Sequence, residues 1–170
     1  RAAEAVPARV HEQKGRFFRI TRKKTRNFDI FFAKALDKST VSIEGQFLGG
    51  DGVNERPTGN ICTPGTEVFI ANEKYVEHCA TSNSKTYHGD QWVTAEFVVY
   101  GDSLAHHIIE GDTVLTYTNM TIGGGGVSPD PGYKAGTPLG KGRISLQSES
   151  HPVEFKNIEI MDLSPLYEKE

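Results

Sequence analysis

The chain has 170 residues of ordinary globular composition, with 36% hydrophobic residues, 24% charged residues and a net charge of -3. A single domain of this size can bury a core without metal or disulfide staples, and the composition excludes a disordered chain or a coiled coil. No apolar stretch approaches the roughly 18 residues that span a membrane, so we expect no membrane span.

The charge is distributed unevenly along the chain. Residues 1–38 carry eleven Lys/Arg and four acids, whereas the remainder carries eight and eighteen. The basic residues between positions 16 and 26 could bind nucleic acid. However, they alternate with Phe17, Phe18 and Ile20, as on a solvated strand face, and an acidic remainder would repel phosphates. We therefore expect no nucleic-acid partner.

Most of the chain is predicted to form short strands separated by turn residues. In chain order the strands are Arg16–Thr21, Phe28–Ala35, Thr40–Leu48, Glu67–Ala71, Lys74–His78, Trp92–Tyr100, Ser103–Glu110, Thr113–Tyr117, Arg143–Gln147 and Val153–Met161. Glu110-Gly111 is a tight hairpin signal. Strands at this spacing without a long helical period indicate an all-β sandwich or barrel.

Cys62 and Cys79 are the two cysteines of the chain. Residues 67–78 between them read as a hairpin that turns at Asn72-Glu73 and would bring the two thiols together. In an exported protein this predicts a disulfide, whereas in a cytosolic one both thiols would more often stay reduced and buried. Adjacent His78 does not complete a structural zinc site, which needs four ligands.

Alternation along Val41–Leu48 separates two strand faces. The predicted core face carries Val41, Ile43, Gly45 and Phe47, and the other face carries Ser42, Glu44, Gln46 and Leu48. Glu44 and Gln46 would then stand about 7 Å apart and could hydrogen-bond a sugar. An outward face in plain solvent is the alternative.

Two loops contain further candidate side chains. The glycine-rich loop 48–60 holds Arg56, which could bind a carboxylate or polarise a carbonyl, or could simply be solvated. Lys85 and His88 precede the strand that opens at Trp92, and histidine suits proton transfer near neutral pH. A lone loop histidine is nevertheless more often a surface residue.

Two further segments carry candidate polar side chains, one in a predicted strand and one near the predicted turn of residues 140–160. His106 and His107 lie side by side in a strand, so one should face solvent and the other the opposite layer or a cleft. Residues 140–160 read as two strands joined by a short polar turn, with Gln147, Glu149 and His151 near that turn and apolar positions on the return strand.

Four segments together resemble the 3-keto-disaccharide hydrolase domain, also described as a 3-keto-glucoside lyase/hydratase. They are residues 42–50 (SIEGQFLGG), 85–92 (KTYHGDQW), 107–117 and 142–160. The resemblance implies a concanavalin-like jelly-roll β-sandwich of two antiparallel sheets, covering residues 26–170 after a basic segment at 1–25. It also implies bacterial export to the periplasm or outside the cell, although no signal peptide is visible, and a carbohydrate substrate oxidised at C3.

The chain departs from the family pattern at several points. Gly45 stands between Glu44 and Gln46 where the family usually has Val, and Glu110 stands where it usually has Asn. The family's early Asn-Ser-Gly segment corresponds here to residues 27–29, which implies a substrate contact for Asn27.

The resemblance also implies a reaction. A ketone at C3 acidifies the C2 proton, so a base can remove it, the C1 substituent departs by β-elimination and water adds to the enone. We expect Glu44 or His88 as the base and Arg56 or Lys85 as the stabiliser of the enolate. The substrate-positioning candidates are Asn27, Gln46, Lys85, His107, Gln147 and Glu149. A divalent metal could replace the cation, with His107 and Glu44 as its ligands.

Two non-enzymatic alternatives remain at the level of sequence. The same sandwich could be a non-catalytic, lectin-like carbohydrate-binding module, because a fold does not fix a function. It could also be an interaction domain whose basic N-terminus docks a partner. The one tryptophan, Trp92, lies in an apolar-patterned strand, which favours a pocket over an aromatic sugar platform.

Overall fold

Strands form the regular secondary structure of the described part of the chain. The computed structural model describes residues 15–23, 28–33, 41–124, 132–140, 142–148 and 153–163. Their strands are β1 (Gly15–Lys23), β2 (Phe28–Ala33), β3 (Ser42–Gln46), β4 (Asn60–Cys62), β5 (Thr66–Ile70), β6 (Glu73–Lys74), β7 (Cys79–Ala80), β8 (Trp92–Tyr100), β9 (Leu104–Ile109), β10 (Asp112–Ile122), β11 (Arg143–Ser148) and β12 (Glu154–Asp162). These residues include no helix long and apolar enough to cross a membrane.

The strands form two antiparallel sheets. The seven-stranded sheet has the order β12-β1-β8-β9-β10-β5-β6, and the five-stranded sheet has the order β11-β2-β3-β4-β7. The predicted all-β sandwich of two antiparallel sheets is therefore confirmed.

Strand β1 lies inside the seven-stranded sheet. It pairs with β8 over its whole length, from Gly15↔Tyr100 to Lys23↔Trp92, and with β12 on its other side. Ile20 of β1 is fully buried in the core. The sandwich thus begins before residue 26, which had been the expected start of the domain.

Two hairpins turn on pairs of residues with positive φ, as twisted two-residue hairpins require. The predicted turn at Glu110-Gly111 is confirmed, with φ of 51° and 89°. The β5–β6 hairpin turns at Ala71-Asn72, where φ is 52° and 66°. The expected turn at Asn72-Glu73 was wrong by one residue, because Glu73 pairs with Ile70.

Strand β10 continues to Ile122, well beyond the predicted end at Tyr117. Asn119 has a φ of 52°, and the register with β5 shifts between Thr118 and Thr121. Such a bulge breaks the alternation on which the sequence prediction depends. The short strands β4 and β7 were not predicted, because two or three residues carry no readable period.

The closing strands β11 and β12 belong to different sheets. Strand β11 is an edge of the five-stranded sheet and β12 is an edge of the seven-stranded sheet, so the chain crosses the sandwich between them. Val153 and Phe155 pack on the core, whereas Ile158 and Ile160 are 51% and 62% exposed. The apolar positions of the return strand are therefore divided between the core and the surface.

The core fills the space between the sheets. From the seven-stranded sheet β8 contributes Val93, Ala95 and Phe97, and from the five-stranded sheet β3 and the residue after it contribute Ile43 and Phe47. The Phe47 and Phe97 rings meet edge to face with centroids 5.5 Å apart. This packing fixes which face of each strand is left for the outside.

Candidate functional site

The outer face of the five-stranded sheet carries Glu44 and Gln46. Their neighbours Ile43 and Phe47 are buried at 3% and 0% exposure, whereas Glu44 and Gln46 are half-buried. A Cβ on Gly45 would overlap the Phe97 ring and lie 3.7 Å from His107 Cε1, so this position points inward. Alternation then turns Glu44 and Gln46 to the opposite side of the sheet.

Strand register brings residues distant in sequence into one row across this sheet. The row consists of Gln147, Asp29, Gln46 and Asn60, on β11, β2, β3 and β4. Because Ile144 and Leu146 pack on the core, alternation directs Gln147 outward as well. At a strand spacing of about 4.8 Å, Gln46 lies about 5 Å from Asn60 and about 10 Å from Gln147. The two glutamines thus share one end of the outer face.

Loop 47–59, which connects β3 to β4, is hydrogen-bonded to residues 84–88 at this end of the sheet. Gly50 N donates to the Tyr87 carbonyl over 2.9 Å, and Arg56 N donates to Thr86 Oγ1 over 2.5 Å. Arg56 Nη1 donates to the Gly49 carbonyl over 3.1 Å. These contacts hold the guanidinium of Arg56 against the Gly49 backbone, in the loop that follows Gln46.

The tip of this loop is ordered by Asp51. Its carboxylate accepts hydrogen bonds from Asn54 Nδ2 and from the backbone N–H groups of Val53 and Asn54, at 2.7 to 2.9 Å. These bonds, led by that of Asn54, hold the pKa of Asp51 well below its usual range. Asp51 therefore stays ionised as a structural turn residue.

His88 is held at this end of the sheet in one tautomer. Its Nδ1 accepts a hydrogen bond from Gly52 N over 2.9 Å, and the residue is exposed. Because a backbone N–H can only donate, Nδ1 must be the unprotonated nitrogen and Nε2 carries the proton. Packing at Gly50 supports the arrangement, since a Cβ there would overlap the His88 ring. In this state the free edge of His88 is a hydrogen-bond donor.

Lys85 lies in the same segment but is exposed. Its Nζ stands 5.0 Å from the centroid of the Tyr87 ring, which is buried in the core. Of the other expected substrate contacts, Asn27 and Glu149 lie outside the described residues.

His107 does not join the residues of the outer face. It is fully buried between the sheets, with Nδ1 2.8 Å from the Gly59 carbonyl and Nε2 3.2 Å from the Tyr117 hydroxyl. Burial lowers the pKa of His107 to about 4. A neutral ring with both nitrogens engaged has no group left for a substrate, and Glu44 lies on the far side of β3. The structure therefore does not bring His107 and Glu44 together as metal ligands.

The expected division between the two adjacent histidines is confirmed. His106 lies on the outer face of the seven-stranded sheet, half-buried, with Nδ1 2.9 Å from Thr116 Oγ1. Its neighbour faces the opposite layer, as strand alternation requires.

Asn60 is a candidate residue that the sequence did not reveal. It is 8% exposed, and its Oδ1 accepts a hydrogen bond from Ser82 N over 2.9 Å. It stands in register with Gln46, and Gly59 N donates to the Gln46 carbonyl over 2.7 Å. Its place at the end of the glycine-rich loop was the available signal, but the short strand β4 that orients it could not be read from alternation.

Cys62 and Cys79 form a disulfide beside this face. They are directly opposed on β4 and β7, and Cys62 is opposed on its other side by Glu44 of β3. The disulfide therefore continues the cross-strand row that contains Glu44.

A separate polar hollow of about 370 Å³ lies on the other side of the molecule, on the outer face of the seven-stranded sheet. Its Arg19 is paired with Glu96 at 2.5 Å and with Glu159 at 3.6 Å. None of the candidate residues that the structure describes lines it. The candidate site considered below is therefore the polar outer face of the five-stranded sheet, and not this hollow.

Comparison with known protein families identifies the domain as a whole. The family model of the 3-keto-alpha-glucoside-1,2-lyase-like domain matches residues 11–161. The match includes β1 and confirms the family resemblance of the sequence. Among curated proteins no match is found.

Proposed function

Since the chain belongs to the 3-keto-alpha-glucoside-1,2-lyase-like domain family, we propose that it cleaves the glycosidic bond of 3-keto-α-glucosides by elimination and hydration. The proposed site is the end of the outer face of the five-stranded sheet that carries Gln46 and Gln147. It includes Arg56 of loop 47–59 and His88 of the segment hydrogen-bonded to that loop. One observation supports the proposal: Glu44, Gln46, Asn60 and Gln147 stand on neighbouring strands of one sheet, and the loop that follows Gln46 is hydrogen-bonded to the segment that carries His88.

Glu44 is the proposed base. It takes the proton from C2 of the sugar, the electrons of that C–H bond form the C1–C2 double bond, and the C1–O bond breaks. The C3 ketone holds negative charge as the proton leaves. Addition of water to C1 and return of a proton to C2 complete a net hydrolysis. His88 is a poorer base in this structure, because its outward-facing Nε2 already carries a proton.

Arg56 and His88 are proposed to stabilise the negative charges that develop on the C3 oxygen and on the departing oxygen at C1. The guanidinium of Arg56 is permanently charged and stabilises the enolate oxygen at C3. The Nε2–H of His88 is suited to donate its proton to the departing oxygen at C1. Exposed Lys85 can contribute to the same positive field.

The amide groups are proposed to orient the sugar. Gln46 and Gln147 are about 10 Å apart, which is the scale of one sugar ring with its hydroxyls. Each amide offers both donors and an acceptor, which matches hydroxyl groups. Asn60 is held by Ser82 N and extends this row. We also propose export to the periplasm or the extracellular space, a compartment in which a disulfide persists.

The decisive experiment follows the C2 proton. A 3-keto-α-glucoside is incubated with the protein in D₂O, and NMR records deuterium at C2 together with release of the aglycone. We expect both signals with the wild type. Glu44→Gln should slow both by about 10²- to 10⁴-fold, the usual contribution of a general base.

Glu73→Gln is the matched control, because Glu73 is exposed in the distant β5–β6 hairpin and should leave the rate unchanged. Unaltered turnover by Glu44→Gln would remove Glu44 from the mechanism. Binding of the sugar to the wild type without deuterium exchange or aglycone release would establish the alternative, a non-catalytic carbohydrate-binding module.

A further inference from the structure

The surroundings of the disulfide contain a third soft-metal ligand. The Sγ atoms of Cys62 and Cys79 and a ring nitrogen of His78 all lie within 4.8 Å of one another. His78 precedes Cys79 in the chain, but the pairing of β4 with β7 is what brings Cys62 to both. The sequence analysis required four ligands for a structural zinc site, and so it passed over this cluster of three.

His78 Nδ1 is buried and has no hydrogen-bond partner among the described residues. A buried polar nitrogen without a partner is unfavourable, so its retention calls for an explanation. The backbone around it is anchored: Thr63 N and Oγ1 both donate to the His78 carbonyl, at 2.9 and 3.2 Å. The Tyr75 hydroxyl donates to the Cys79 carbonyl at 2.9 Å. These bonds hold the backbone of His78 and Cys79 next to the strand that carries Cys62.

We propose that the reduced form of the protein binds one thiophilic divalent cation, such as Zn²⁺, through Cys62 Sγ, Cys79 Sγ and a ring nitrogen of His78. Ligand atoms around tetrahedral zinc are about 3.5 Å apart, so the three atoms need only small movements once the S–S bond opens. A site with three protein ligands keeps a fourth position for water. The inference is independent of the proposed glycosidase activity.

Reduction of the Cys62–Cys79 disulfide must precede metal binding, and a dithiol can serve as the reductant. The dithiol supplies two electrons and two protons, the S–S bond breaks to give two thiols, and the reductant becomes its own disulfide. Cys79 is exposed while Cys62 is 1% exposed, so attack begins at Cys79. Metal binding then displaces the two thiol protons.

The site would also place a cation next to the sugar-binding face. Glu44 is directly opposite Cys62, with Cβ atoms of such pairs about 5 Å apart. A bound divalent cation would favour the ionised form of the Glu44 carboxyl.

Co²⁺ is the probe, since tetrahedral thiolate coordination gives it intense ligand-field bands and a thiolate charge-transfer band. The full chain is reduced with a phosphine, which leaves no competing thiol, and titrated with Co²⁺ while circular dichroism monitors the β-sheet spectrum. We expect one equivalent to bind to the reduced chain and none to the oxidised chain. His78→Ala should weaken binding by at least about tenfold, the lower end of what losing a ligand's outer-sphere partner costs.

His106→Ala is the matched control, because this histidine lies on the other sheet and should leave Co²⁺ binding unchanged. The Cys62→Ser/Cys79→Ser double variant should bind none. Equal affinity for wild type and His78→Ala would overturn the three-ligand site. So would loss of the β-sheet spectrum on reduction, since the site requires β4 and β7 to stay paired.

Discussion

Two histidine regions of the molecule, the core around His107 and the loop around His88, show how the same side chain acquires different roles. His107 lies in the dry interior, where Nδ1 meets the Gly59 carbonyl and Nε2 meets the Tyr117 hydroxyl. His88 is an exposed loop residue whose Nδ1 accepts a hydrogen bond from Gly52 N. The chemical difference between the two histidines lies in the number of ring nitrogens that the protein itself hydrogen-bonds. Both nitrogens of His107 have such a partner, whereas for His88 the contact described is that of Nδ1.

The two regions are connected through a short segment of backbone. The Gly59 carbonyl bonds to His107, and Gly59 N donates to the Gln46 carbonyl. Gly59 has a φ of 78°, and a Cβ there would lie 3.0 Å from Ile109, so the position favours glycine on two grounds. The interior histidine therefore supports the strand end that carries the outer-face site.

The largest expected effect comes from removing the interior ring. His107→Ala should destabilise the fold by about 3–5 kcal/mol, because it opens a cavity and leaves the buried Gly59 carbonyl and Tyr117 hydroxyl without their partner. His88→Ala should change stability by less than about 1 kcal/mol, because that ring is exposed. Urea unfolding of both variants measures the difference. Equal losses would contradict the division between the two regions.

The pH dependence of stability gives the next largest effect. Burial lowers the pKa of His107 from 6.5 to about 4. Between these values the unfolded chain binds a proton that the folded chain refuses, so stability falls as pH falls through this window and is recovered above about pH 6.5. The loss should reach about 3 kcal/mol at pH 4.

Unfolding midpoints recorded between pH 4 and pH 7 test this coupling. His106 also has a pKa lowered by burial and contributes in the same direction. The His107→Ala chain should lose most of the slope and His106→Ala should keep most of it. A wild-type curve that is flat across the window would contradict a neutral buried ring.

A smaller effect is expected at Gly45, where the family usually has a larger residue. Gly45→Ala would press its Cβ into the Phe97 ring and should cost about 1–3 kcal/mol by overpacking. Phe97→Leu alone should also destabilise, by leaving a void. The double variant should cost less than the two single changes together, and additive costs would show that the two positions do not compete for the same space.

Several features of this molecule followed from local sequence pattern. Alternation predicted β8 at its observed bounds, Glu110-Gly111 predicted its hairpin, and the family motifs led to the correct fold class. Alternation also predicted that His106 and His107 face opposite ways. Each of these depends on neighbours within a few residues, so the chain itself contains the information.

Other features depended on how strands from distant parts of the chain pair. The division of β11 and β12 between two sheets, the row that joins Gln147 to Asn60 and the contact of His78 with Cys62 are all tertiary. The sequence by itself determined which residues alternate and where tight turns form, because these follow from backbone period and φ preference. Only the tertiary structure decided that His107 is enclosed, that His88 holds its proton on Nε2 and that Glu44 adjoins the disulfide, because burial and hydrogen-bond partners are supplied by strands far away in the chain.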